Sequence, residues 1–98
     1  MAAYVIIDIQ VTDPVKYEEY RKLAPALVAA YGGKYLARGG QTTVLEGDWL
    51  PTRLVILEFE SVERAKAWWD SPEYAAAKQM RIQSTHSNLV ILEGLPPK

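Results

Sequence analysis

Four β-patterned stretches and two helical regions, in the order β, α, β, β, α, β, predict an α+β fold. It is the split βαβ arrangement of ferredoxin-like sandwiches, a four-stranded antiparallel sheet with its helices on one face. Three observations carry that prediction: two-residue periodicity over residues 3–11 and again over 53–60, helical recurrence between Asp13-Pro14 and Gly32-Gly33, and a β-rich closing run over 85–93. Ninety-eight residues, 49% of them hydrophobic, suit one domain spanning residues 1–98 with a single core.

In the first strand Val5, Ile7, Ile9 and Val11 share one face, and Tyr4, Ile6, Asp8 and Gln10 the other. Thr12-Asp13-Pro14 supplies a capping side chain followed by proline at a first helical position, and Tyr17, Tyr20, Leu27 and Tyr31 recur at helical spacing to about residue 31. Pro25 inside this helix predicts a kink or brief break near Ala24. Gly32-Gly33 is expected to cap the helix. Residues 34–38 and 42–47 read as one long strand interrupted at Gly39-Gly40, a glycine pair expected to bend or bulge the strand carrying Arg38.

The next strand places Val55, Leu57 and Phe59 on one face and Leu54, Ile56 and Glu58 on the other, and pairs with its predecessor as an antiparallel hairpin. Ser61 caps a helix whose inward face is Val62, Ala65 and Trp69, and Ser71-Pro72-Glu73 starts a second piece reaching about Gln83. A strand over about 85–93, then Gly94 and the tail Pro96-Pro97-Lys98, complete the chain.

Helices on one face leave the other face of the sheet bare, with large apolar groups on both faces of the first and third strands. A second copy packed face to face by two-fold symmetry is the economical cover, so a homodimer enclosing a barrel is expected, with Trp49 as a contact candidate. A net charge of -1 offers no field for a polyanion or an acidic membrane. Ferredoxin-like sheets do bind RNA, but residues 53–59 lack exposed aromatics, so neither nucleic acid nor membrane is an expected partner. The chain has no cysteine, and its N-terminus has neither a basic region nor a long apolar segment, so the expected location is cytoplasmic.

Asp8 and Glu58 lie on adjacent strands, and if both point to the open face they share a cavity with Arg38. There Arg38 would bind a substrate carboxylate bidentately while one acid serves as base. The competing reading is an internal ion-pair network among the same residues. Tyr20, Trp69 and Tyr74 are candidates to line a pocket for a planar ligand, or core aromatics. Arg53 and Arg81 are possible further anion donors, although arginines at a strand start and a helix end usually meet solvent or surface groups. His86, the only histidine, is a candidate base amid Thr85, Ser87 and Asn88, where a surface role is the competing reading. No metal-ligand spacing is present, and no cofactor is expected.

Asp13-Pro14, Tyr20, Tyr31-Gly32-Gly33, Arg38-Gly39-Gly40, Glu46-Gly47, Arg53, Glu58-Phe59, Ser71-Pro72-Glu73-Tyr74 and Arg81 form an ordered set over nearly the whole chain. This set resembles the thirteen-thirty family of domains of unknown function. The resemblance implies a ferredoxin-like fold in the dimeric α/β-barrel superfamily, which includes cofactor-free monooxygenases, haem-degrading monooxygenases and small-molecule sensors. The family carries no established reaction and no catalytic residues to transfer. The haem-degrading pattern asks for a first-strand asparagine with a helical tryptophan and histidine; here Asp8 and strand-borne His86 depart from it. The resulting expectation is a cytoplasmic homodimer that binds, and acts without a tightly held cofactor on, a small anionic or aromatic metabolite beside Arg38. The alternative is a non-catalytic dimeric module.

Overall fold

β1 (Ala3–Val11) lies inside the sheet, antiparallel to β3 (Leu54–Phe59) on one side and to β4 (Thr85–Glu93) on the other. β2 (Lys34–Arg38) pairs antiparallel with the outer edge of β3, so the strand order is β2-β3-β1-β4. The helices α1 (Pro14–Ala30), α2 (Val62–Trp69) and α3 (Pro72–Ser84) complete this ferredoxin-like sandwich. The computed structural model describes residues 1–96, so Pro97 and Lys98 of the expected tail lie outside the described residues.

The alternation read in the sequence is the alternation of burial. Val5, Ile7, Ile9, Val55, Leu57 and Phe59 are buried under the helices, whereas Tyr4, Ile6, Leu54 and Ile56 on the opposite face are half-buried. From the helical side Tyr17, Tyr20, Ala24 and Val28 of α1, Ala65 and Trp68 of α2, and Tyr74 and Ala77 of α3 complete the core. The inward tryptophan of α2 is Trp68, not Trp69. Both stand at helical spacing from Ala65, but Trp68 packs on Phe59 and Tyr74 with ring centroids 5.5 and 4.4 Å away.

The caps follow the local rules. Asp13 Oδ1 accepts from the Lys16 N–H at 3.1 Å with Pro14 behind it, and Ser61 Oγ accepts from the Arg64 N–H at 3.1 Å. Buried Ser71 joins α2 to α3: its Oγ donates to the Trp68 carbonyl and accepts from the Tyr74 N–H. α1 ends in a Schellman motif, Gly32 N–H to Ala29 O and Gly33 N–H to Val28 O, with Gly32 at φ +77°. α1 runs unbroken through Pro25, because buried Tyr20, Ala24 and Val28 on either side hold one stripe against the sheet.

Two strand expectations are corrected. β2 stops at Arg38, and residues 42–47 form no strand; they belong to an exposed connection between β2 and β3. The bulge lies at Leu36, before the glycine pair: Tyr35 faces Leu57, but Ala37 faces Ile56, so one extra residue enters β2. No helix among the described residues is long and apolar enough to cross a membrane.

Candidate functional site

The bulge decides where Arg38 points. Lys34 stands opposite Glu58 on the open face, and an unbroken strand would put Arg38 on that same face. The extra residue reverses the parity, and Arg38 pairs with Val55 on the helix side. Asp8 and Glu58 remain on the open face, opposite Leu54 and Tyr4. The expected Asp8–Glu58–Arg38 cavity therefore does not form. Nor does the ion-pair network offered as its alternative: Glu58 pairs with Lys34 at 3.4 Å, and Asp8 accepts from the Trp49 indole and the Thr52 backbone N–H.

Arg38 instead stands at the mouth of a cavity of about 300 Å³ between α1 and the helix-facing side of the sheet. Ile7, Val55 and Leu57 form its apolar floor, and Tyr20, Ala24 and Pro25 lie on the helix side. Its charged lining is Arg21, Lys22, Arg38 and Arg53 against one acid, Glu18, which is already tied to Arg21 at 3.0 Å. Arg38 and Arg53 have no carboxylate partner among the described residues. In a chain of net charge -1, this concentrates positive charge over a low-dielectric floor.

Neighbouring groups fix both arginines. The Arg38 guanidinium lies over the Tyr35 ring, 4.6 Å from its centroid, a cation–π contact that orients the fork. Burial holds the Tyr35 hydroxyl above its ordinary pKa, partly offset by the Arg38 charge. Gly39, at φ +70°, lies against the Arg53 guanidinium, and a Cβ there would collide with it. The Arg53 carbonyl accepts from the Ile9 N–H at 2.9 Å, and the Gly39 N–H donates to the Leu54 carbonyl, so the sheet holds both chain segments at the mouth.

Deeper in, the Tyr20 and Tyr74 hydroxyls are 2.9 Å apart. Burial first, and Tyr74 second, push the Tyr20 hydroxyl far above its ordinary value, so it stays protonated. Of the ligand candidates, Tyr20 and Arg38 line this cavity, while Tyr74 is fully buried behind Tyr20. Trp69 lines a separate apolar cavity of about 360 Å³ against β4. His86 is exposed on β4, opposite Gln10, away from both. Arg81, expected at the surface, is only 3% exposed, with its guanidinium 5.7 Å from the Trp69 ring centroid.

Sequence reasoning did not find Trp68, Arg21 or Lys22 at this cavity. The last two adjoin Tyr20 in α1, a signal that helical spacing alone leaves undirected. Among the described residues, three buried side-chain atoms have no hydrogen-bond partner: Arg53 Nε, Trp68 Nε1 and Arg81 Nε. All three are donors, and Arg53 and Trp68 belong to the cavity lining. No group of three or more metal-ligating side chains occurs among the described residues.

Comparison with solved structures returns this same fold. A protein of unknown function from Rhodopseudomonas palustris superposes with a TM-score of 0.77 at 21% identity, covering 98% of this chain and 84% of that one. A dimeric ferredoxin-like protein of unknown function from Thermobifida fusca gives 0.67 at 19%, covering 95% and 91%. SnoaB, a cofactor-independent oxygenase from Streptomyces nogalater, gives 0.63 at 12%, covering 98% and 94%. These are likenesses of fold. No curated protein matches the chain. The family model for the domain of unknown function DUF1330 matches residues 2–95, and the chain belongs to that family.

Proposed function

We propose that the chain works as a homodimer that binds a small planar anion, a carboxylate above all, in the cavity between α1 and the sheet. One observation carries this reading: among the described residues, the buried side-chain polar atoms left without partners are all donors, two of them on residues that line the cavity. A buried donor without an acceptor costs about 1–3 kcal/mol, and an oxygen-rich anion supplies the acceptors. Arg38 and Arg53 would take the charged end, and Tyr20 and Trp68 would face the body of the ligand. The volume, about 300 Å³, stands at the small end of ligand pockets and suits one or two fused rings. Turnover without a tightly held cofactor is supported by analogy with the Streptomyces oxygenase, at the level of fold alone. The dimer is supported by the bare sheet face and by the description of the Thermobifida relative as dimeric.

Thermal melting of wild type and Arg38→Ala with benzoate and 2-naphthoate tests the pocket. Arg38 is exposed, so its removal leaves the core intact. At about a hundred times the dissociation constant a true ligand stabilises by about 2.7 kcal/mol, a rise of ~10 °C for a domain of this size. That rise is expected in wild type and should shrink in Arg38→Ala. Equal shifts in both proteins would remove Arg38 from the site, and no shift with either compound would sink the carboxylate reading.

A further inference from the structure

The connection from Gly39 to Arg53 is fifteen residues long, whereas hairpin loops between neighbouring strands ordinarily take about two to five. It makes no backbone–backbone hydrogen bond between Gly40 and Pro51 among the described residues. Gly47, at φ +91°, turns it back on itself. Its apolar side chains meet solvent: Leu45 is 93% exposed, Leu50 74% and Trp49 61%. Thr42, Thr43, Val44 and Leu45 nevertheless form a strongly β-prone run. Its two roots are tied down, the departing one by the Gly39 N–H donating to the Leu54 carbonyl at 2.7 Å and the returning one by the Trp49 indole and Thr52 N–H groups donating to Asp8 at 3.0 and 3.1 Å. Asp8 lies on the open sheet face, so the arm leaves from beside the surface that lacks cover.

The area agrees with a missing partner. The chain exposes 6544 Å², whereas a compact monomer of 11.0 kDa exposes about 5,600 Å². The excess, about 900 Å², is close to the ~800 Å² each partner contributes to a standard interface. A bonding-competent, unpaired backbone with apolar side chains is also the form in which one chain adds to another.

We infer that residues 40–51 are an exchanged clasp, packed on a second copy of this chain at its open sheet face, each subunit giving one arm and receiving one. This rests on the dimer proposed above and adds the segment that secures it. The positions that bury on the partner are Val44, Leu45 and Leu50, while Trp49 anchors the root.

The test substitutes Leu45→Asp and Leu50→Asp together. Both side chains are exposed in the single chain, so its own core is untouched, and an unchanged circular dichroism spectrum checks this. Sedimentation of the wild type is expected to give a dimer, and the double variant to raise the dissociation constant ~100-fold or more. In parallel, a benzophenone side chain is placed at position 45 in a mixture of isotopically heavy and light chains. Illumination should yield peptides joining heavy to light. A variant dimer of undiminished affinity, or cross-links confined to single chains, would overturn the clasp while leaving the face-to-face dimer standing. A wild type that remains monomeric at every concentration would overturn both.

Discussion

The Tyr31 hydroxyl donates to Glu73 Oε2 at 2.6 Å, tying the end of α1 to the first turn of α3. That bond holds the Glu73 carboxyl below its ordinary value of 4.5 and is the first cause raising the Tyr31 hydroxyl above 10.0. For Glu73 the stabilisation is present above pH 4.5 and lost as pH falls through the lowered folded value. For Tyr31 it is present below pH 10 and lost as pH rises through the raised one. Tyr31→Phe should therefore melt earlier than wild type near neutrality, and the gap should close as pH falls through the lowered Glu73 value. A gap of the same size in acid would show that the hydroxyl matters for something other than this bond. The buried Tyr20–Tyr74 contact makes a different prediction. Tyr20→Phe strands the Tyr74 hydroxyl in the core and should cost about 1–3 kcal/mol, whereas removing both hydroxyls should cost less than the sum of the single changes. Denaturant unfolding of the three variants measures this, and simple additivity would contradict it. The residue types at these positions were legible in the sequence. The face taken by Arg38 was not, because one extra residue at Leu36 reverses parity without leaving any mark in composition.

Among the elements, the turn from α1 into β2 shows why a glycine pair sits there. Gly32 supplies the left-handed residue of the helix cap, and Gly33 brings the chain against the core. A Cβ at Gly33 would lie 2.6 Å from Val28 Cγ1 and 2.7 Å from Phe59 Cε1. Val28 is stiff at χ1 and Phe59 is buried, so neither moves aside without disturbing the core. Gly33→Ala should cost about 1–3 kcal/mol as an overpacking change, seen as a fall in melting temperature of ~4 °C or more. An unchanged melting temperature would mean the junction is looser than its contacts indicate. Ser71-Pro72-Glu73-Tyr74 reads the same way: Ser71 caps, Pro72 opens the helix, Glu73 meets Tyr31 and Tyr74 meets Tyr20. Caps and period-two alternation made six of the seven elements readable in advance, with β2 foreseen as too long. Residues 42–47 defeated the same rules because their β propensity is real but finds no partner strand among the described residues.

At the scale of the whole molecule, the thin dimension of 16 Å against 42 and 39 Å describes two layers with one side uncovered. Ile6, Ile56, Val90 and Leu92 share that side in register, and Val90 and Leu92 are exposed. If two such faces pack together, unfolding is coupled to dissociation, so the melting temperature must fall as the protein is diluted. Ile56 is central to the face but outside the helix-covered core. Ile56→Lys should separate the subunits, lower the melting temperature, and abolish its dependence on concentration. The comparison with Leu45→Asp/Leu50→Asp then divides the interface: loss of the dimer in both variants assigns the binding to face and arm together. Loss in Ile56→Lys alone places it in the sheet. A wild-type melting temperature that ignores dilution over two decades would leave the open face without this partner.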